Sequence, residues 1–328
     1  MKQGMPNNAL FSGTRKKLRA PEARCWTKIE YYTMKKMKEI IVKFLKIFLL
    51  YSNCSMLLSL PVYACTVFTL TDSEHTLFCN NEDSNYPDSI IWFVPSNQKP
   101  SAVKTKFGCV YVGYSNQVAQ GGLNTAGLAF DGKSGFKEIW KRKSHPDLKR
   151  AHENSLERML ESSATIEEAI EFIKGYWFPS FSYAKLLISD RTGKSVIIGA
   201  RNDKMEIKIL KQSRGIGYGF NKNPKLLEGY PAPSLTNASK ILKHALQDGK
   251  YATKYSNVFE LKTGDIFIYR FSNQTNPVKI NLLEELNKGA HYYDIPKIEE
   301  QLTEELKTIS RFKEWLKSIA YFKQWLTD

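Results

Sequence analysis

Basic, apolar and small residues follow one another in order just before Cys65, and that order sets where the fold can begin. Lys35, Lys36, Lys38, Lys43 and Lys46 precede an apolar stretch over residues 47–60. Pro61 breaks any helix there, and Val62-Tyr63-Ala64 places small or apolar residues at −3 and −1 of a cut before Cys65. This is the pattern of a secretory signal peptide. The apolar stretch has 14 residues, against the roughly 20 needed to span a bilayer, and Ser52, Asn53 and Ser55 dilute it. An uncleaved membrane anchor is the competing reading. Met34 leads directly into Lys35-Lys36, so translation is expected to start there. The mature chain is expected to be exported, either periplasmic or secreted, with membrane contact only through the signal peptide.

Charge follows the same division. The 328 residues carry a formal +15, of which residues 1–64 hold +9 and residues 65–328 only +6. Basicity is therefore mainly a targeting feature, and no nucleic-acid partner is expected. With 42% hydrophobic and 25% charged residues the chain can bury a core, which excludes disordered and collagen-like classes. The five Cys and five His include no C-x-x-C pair and no zinc spacing. Neither a metal nor a disulfide scaffold is expected, and the absence of dinucleotide and P-loop motifs leaves no cofactor to expect.

After Cys65 the sequence reads mainly as strands. Residues 65–70 and 75–79 are β-rich runs around a polar turn at 71–74, and 90–94 and 109–114 follow. A helical block covers about 152–177, with Thr165-Ile-Glu-Glu168 spaced as a capping box. Strands return at 182–189 and 195–200 around Asp190-Arg-Thr-Gly-Lys194, then at 205–210 and 215–220. A helix is expected over 237–246 and a hairpin over 258–271. Strands, helices and strands again predict α+β with antiparallel sheets. The division is residues 1–64 as extension and signal peptide, 65–297 as one domain, and 298–328 as an amphipathic C-terminal helix. In that helix Phe312-Lys-Glu-Trp-Leu recurs as Phe322-Lys-Gln-Trp-Leu, and packing on the domain or on a second copy is favoured over a membrane surface, so a homo-oligomer is compatible with it.

Cleavage at Ala64 would give Cys65 both a thiol and a free α-amine. An α-amine has an unperturbed pKa near ~8, so part of it is neutral at pH 7 and can accept the thiol proton. One residue then supplies nucleophile and base. Such a site needs a carboxylate to orient the amine and donors for an oxyanion. Cys79-Asn80-Asn81-Glu82-Asp83 follows the second strand, and a hairpin returns it beside residue 65. Asp83 is the candidate partner of the amine, and Asn80 and Asn81 are candidate amide donors near the substrate. The alternative is a polar turn. Gly121, Gly122, Gly127 and Gly132 are assigned to turns and close sheet packing. Cys79 and Cys109 are assigned to the core.

The runs Ala64-Cys65-Thr66-Val67-Phe68, Leu77-Phe78-Cys79-Asn80-Asn81-Glu82-Asp83 and Gln120-Gly121-Gly122-Leu123-Asn124-Thr125-Ala126-Gly127-Leu128, in this order, resemble the penicillin V acylase / choloylglycine hydrolase family. Ile91-Trp-Phe-Val-Pro95, Tyr255-Ser-Asn-Val258 and Leu261-Lys-Thr-Gly-Asp265 are similar to its outlying members. The resemblance spans about residues 65–297. It implies a linear-amide C–N hydrolase of the N-terminal nucleophile superfamily, with a four-layer αββα sandwich of two antiparallel sheets. It implies Cys65 as nucleophile, Asp83 as orienter of the amine, and Asn221 of Phe220-Asn-Lys-Asn-Pro224 as oxyanion donor, in preference to Asn223. An Asn of the family near residues 131–134 is missing, so Asp131 or Ser134 is expected to line the pocket instead. The family Arg three residues before the Asp is Asn80 here, and a second family Arg has no match in residues 230–238. Both departures argue against recognition of an acidic leaving group.

The expected ligand is a small-molecule N-acyl amide. Two other functions fit Cys65. One is a lipid-anchored or secreted, non-catalytic binding protein acylated at Cys65, which the bulky Tyr63 disfavours. The other is an acyltransferase working through the same thioester.

Overall fold

The computed structural model describes residues 36–37, 39–43, 65–96, 105–116, 118–135, 137–270 and 275–303. The chain groups into two units, Met1–Pro61 and Val62–Asp328. In the first, the described residues are helical. The rest of the expected signal peptide, and residues 304–328 of the expected C-terminal helix, lie outside the described residues.

In chain order the strands are β1 Thr66–Thr71, β2 Thr76–Asp83, β3 Ser89–Val94, β4 Cys109–Tyr114, β5 Ala119–Asn124, β6 Ala129–Ser134, β7 Lys149–Arg150 and β8 Tyr176–Trp177. They continue as β9 Ala184–Ser189, β10 Ser195–Arg201, β11 Lys204–Leu210, β12 Arg214–Gly217, β13 Thr253–Glu260, β14 Asp265–Arg270, β15 Val278–Asn281 and β16 His291–Asp294. One antiparallel sheet runs β12-β1-β2-β13-β14-β15 and a second β11-β10-β9-β6-β5-β4-β3-β16, while β7 and β8 form a short parallel pair.

Three clusters of buried side chains show how the layers stack. Helices Ser155–Ser162 and Ile166–Lys174 bury Met159, Leu160, Ile170 and Ile173 against Trp92, Tyr111, Phe130 and Ile188 of the eight-stranded sheet. Its other face packs Phe93, Val110, Val112 and Leu187 against Val67, Phe78, Tyr255 and Phe259 of the six-stranded sheet. That sheet in turn packs Phe68, Cys79 and Val258 on Ala238, Ile241 and Leu242 of helix Leu235–His244. The order is helix, sheet, sheet, helix, the expected αββα sandwich. Strands covered on both faces read as continuous apolar runs. In β4, Cys109 and Tyr111 face the helices while Val110 and Val112 face the second sheet, all buried.

The helical block at 152–177 resolves into two helices because the Thr165 box starts a new one. Thr165 Oγ1 accepts from the Glu168 N–H at 3.3 Å, and the Glu168 carboxylate reaches back to the Ala164 N–H at 2.6 Å. The strand expected at 215–220 is instead β12 followed by helix Tyr218–Lys222. Gly217 makes the change of direction at φ +110°, where a Cβ would lie 1.9 Å from the Cys65 carbonyl oxygen.

Asn124 ties the β5–β6 turn to the helical layer. Its amide donates to the carbonyls of Leu160 (2.6 Å) and Ser163 (2.7 Å), and its Oδ1 accepts from the N–H groups of Ala126 (3.0 Å) and Leu128 (2.9 Å). Asn124→Ala strands these groups in the interior and is expected to cost about 2–4 kcal/mol, lowering Tm by roughly 5–15 °C in a domain of this size. Thermal unfolding checks this, and an unchanged Tm would remove Asn124 as a structural tie.

Candidate active site

Cys65 lies immediately before β1, next to the middle of the six-stranded sheet. Its carbonyl accepts from the Tyr218 N–H at 3.3 Å, and Thr66 Oγ1 accepts from the Gly219 N–H at 2.9 Å. The start of the short helix therefore clamps the chain at residues 65–66.

The β1–β2 register decides what surrounds the thiol. Thr66 faces Asn81, and one step further along places Cys65 across from Glu82. Alternation then sorts the polar run onto two faces. Phe78 belongs to the core between the sheets and Cys79 to the core under helix Leu235–His244. Asn80 and Glu82 accordingly face the second sheet, and Asn81 and Asp83 face the helical layer.

Glu82 is 4% exposed. Its carboxylate accepts from the Tyr114 hydroxyl at 2.8 Å and from the Asn80 amide at 3.4 Å. Burial pushes its pKa up to about 7 against these bonds and the influence of the nearby Cys65 thiol. Asp83 places its backbone carbonyl 3.9 Å from the Cys65 sulfur. Its carboxylate accepts from the Thr253 hydroxyl and the Gln247 amide, each at 2.5 Å. Burial raises it to about 7 as well, with the Glu82 charge adding to the effect. Each Asp83 oxygen keeps a second lone pair for a further donor.

Asp131 comes from β6 of the other sheet and is fully buried. Burial and then the Glu82 charge raise its pKa well above the carboxylate range, opposed by one bond from the Gly132 N–H at 2.6 Å. Around the thiol, burial acts first and the charges of Glu82, Asp83 and Asp131 add to it, so its pKa lies well above the ordinary value. In the uncleaved chain, where the Cys65 nitrogen is an amide, the thiol is neutral.

The structure thus brings together Cys65, Asn80, Asp131 and the backbone of Asp83. It does not bring Asn81 there: its amide donates to the Leu242 carbonyl at 2.9 Å and its Oδ1 accepts from the Ser256 hydroxyl at 2.6 Å, on the helical side of the sheet. Asn221 is exposed on helix Tyr218–Lys222, whose first turn holds the Cys65 carbonyl, and Asn223 caps its own turn by accepting from the Lys225 N–H at 3.1 Å. Ser134 stands at the exposed end of β6. Cys79 and Cys109 are buried. Among the described residues, no group of three or more His, Cys, Asp or Glu is arranged to hold a metal.

Sequence reasoning missed Glu82, Tyr114, Tyr255 and Asn257. Asn257 faces Asn80 across the β2–β13 pair, and Tyr255 faces Glu82. The signal for Glu82 was available: period-two alternation from Cys65 through the hairpin selects Asn80 and Glu82 rather than their neighbours.

Solved structures share this αββα sandwich. Penicillin V acylase from Agrobacterium tumefaciens superposes with a TM-score of 0.52 at 14% identity, covering 70% of this chain and 91% of that one. Two variants of the conjugated bile acid hydrolase from Clostridium perfringens give 0.56 and 0.54 at 15% and 14% identity, covering 70% of this chain and 96% of theirs. No protein-family model and no curated protein matches the sequence.

A carboxyl with a pKa of about 7 folded and 4.5 ordinarily holds its proton in the folded chain after the unfolded chain has lost it. Its favourable contribution is complete below pH 4.5 and is lost as pH rises through 7. Glu82→Gln is expected to flatten the fall in stability between pH 5 and 7 by up to about 1.4 kcal/mol per pH unit. Denaturant unfolding across that range measures the slope, and a slope equal to wild type would contradict the assignment.

Proposed function

We propose that the chain is an exported amidohydrolase, a divergent member of the penicillin V acylase / choloylglycine hydrolase family, which cleaves a linear N-acyl amide through an acyl-thioester on Cys65. The observation that carries this reading is the position of Cys65. It heads β1, second from the edge of the six-stranded sheet in the fold those hydrolases share, across from Glu82 and with its sulfur 3.9 Å from the Asp83 carbonyl.

The chemistry follows from removing residues 1–64. In the uncleaved chain the thiol has three acidic neighbours whose charges raise its pKa. Cleavage turns the Cys65 amide nitrogen into an α-amine. The neutral amine takes the thiol proton while sulfur attacks the acyl carbon. The tetrahedral oxyanion needs hydrogen-bond donors, and Asn221 is the proposed side-chain donor. The C–N bond then breaks, the leaving nitrogen takes the proton from the ammonium, and the acyl group stays on sulfur. Water, deprotonated by the same amine, releases the acid and restores the thiol. Asp83, with a lone pair free on each oxygen, orients the amine in the way a carboxylate orients a catalytic His.

A chain beginning at Cys65 is expected to hydrolyse chromogenic acyl amides, and a screen over acyl length finds the preferred one. Cys65→Ala abolishes turnover, and Cys65→Ser leaves at most a remnant because a hydroxyl ionises far less readily than a thiol. Asp83→Asn lowers kcat by roughly 10²-fold or more. An Ala64→Trp chain that blocks cleavage is inactive. Full activity from that uncleaved chain, confirmed intact by mass, would overturn the mechanism.

A further inference from the structure

Beyond Cys65, polar side chains from both sheets are buried between them. Asn80, Glu82, Tyr255 and Asn257 come from the six-stranded sheet, and Tyr114 and Asp131 from the eight-stranded one. Asn80, Asp131, Tyr255 and Asn257 are each 0% exposed. A buried polar atom without a partner costs free energy, so native interiors contain few. Here five occur together: Asn80 Oδ1, Asp131 Oδ2, both side-chain polar atoms of Asn257 and the Tyr255 hydroxyl. Tyr255 pairs with Glu82 and Asn257 with Asn80 across β2–β13, and the Tyr114 hydroxyl of the other sheet donates to Glu82 at 2.8 Å, which places these groups in one neighbourhood.

The unmet groups are mostly acceptors. Asn80 Oδ1 and Asn257 Oδ1 can only accept, Asp131 Oδ2 accepts once its carboxyl is ionised, Asn257 Nδ2 donates, and the Tyr255 hydroxyl does either. Two carboxyl groups, Glu82 and Asp131, stand among them, and among the described residues no Lys, Arg or His makes an ion pair with either. Lys185, which follows on the same face of the second sheet, is committed to Glu206 at 2.8 Å. Gly121 pairs with Asp131, and a Cβ at that position would lie 2.2 Å from Asp131 Oδ2. Glycine there lets the carboxylate pack directly against the β5 backbone.

A primary ammonium has three N–H donors, no acceptor and one positive charge. We infer that this acceptor-rich lining behind Cys65 binds a protonated amine, and that the amide substrate carries one. The inference rests on the amidohydrolase reading for the bond that is cut, though not for the cation that is bound. An anionic amine half is the least suited class, because it brings no donor to these acceptors and opposes ionisation of Glu82 and Asp131.

The test compares N-hexyloctanamide, which is neutral, with two analogues in which an ammonium replaces a terminal methyl. One is N-(5-aminopentyl)octanamide, charged on the amine side, and the other carries the charge at the end of the acyl chain. The anionic N-octanoyl-6-aminohexanoate completes the set. For a chain beginning at Cys65, one ammonium analogue is expected to exceed the neutral amide in kcat/KM by about 10- to 100-fold, the range of a hydrogen-bonded charge. Asp131→Asn and, separately, Asn257→Ser bring that ratio to within about threefold of unity. The second variant keeps the test open if the first does not fold. A parallel titration uses the Cys65→Ala chain, which binds without turnover, and calorimetry with the same four compounds. Hydrolysis without preference for either ammonium analogue, or a preference that survives both variants, overturns the cation site and leaves the hydrolase reading intact. Selective binding of an ammonium analogue to the Cys65→Ala chain, lost in Asp131→Asn, supports the site even if no amide is hydrolysed. Equal fall of all four rates in the variants assigns the lining to the Cys65 α-ammonium instead, and overturns the inference.

Discussion

The hydrogen-bonded register between β1 and β2 is the constraint on which the candidate site depends. It sets Thr66 against Asn81 and therefore Cys65 against Glu82. A slip of one residue would exchange the faces of Asn80 and Glu82 with those of Asn81 and Asp83, because side chains alternate along a strand. The register is held from several directions. Val67 and Phe78 are locked in the core between the sheets, and Phe68 and Cys79 in the core beneath helix Leu235–His244. Asn81 is bonded to both Leu242 and Ser256, so its failure to reach the site is the means by which Asn80 and Glu82 do. The Tyr218 N–H on the Cys65 carbonyl then fixes the residue at its outer end.

Burial gives that geometry an electrostatic consequence. Glu82, Asp83 and Asp131 surround one thiol, and the low local dielectric raises the pKa of all four groups. A thiol in such surroundings is a poor nucleophile while its own nitrogen is an amide. Cleavage before Cys65 would add an ammonium-forming group at the point where acids lack a cation. On the proposed reading the chain would be inert until residue 65 becomes its first residue, and the acids that suppress the thiol beforehand would hold the amine afterwards.

Much of the fold was legible because two-sided burial leaves a clear mark. The apolar runs of β1, β3, β4 and β9 announce strands, and Thr165-Ile-Glu-Glu168 announces a helix start that the side chains complete. The turn from β12 into a helix was not legible, since it depends on Gly217 meeting the Cys65 carbonyl, a contact between residues 152 positions apart. At the candidate site, the nearness of Asp83 to Cys65 could be reached from the order of the hairpin alone. The choice between Asn80 and Asn81 needed the register, and Asn257 needed β13 to lie beside β2, which no local pattern encodes. Tyr255-Ser-Asn-Val258 stood out as a motif, yet its placement emerges only where Asn257 pairs with Asn80 across β2–β13.

The central claim is that Cys65, as the first residue, carries the acyl group. The most direct measurement is the intact mass of a chain beginning at Cys65, quenched with acid during turnover of its preferred amide and then digested. The account predicts an added mass equal to the acyl group, on the N-terminal peptide and on sulfur, discharged by hydroxylamine. An acyl group on any other residue, or turnover that continues with Cys65 alkylated stoichiometrically, would contradict it.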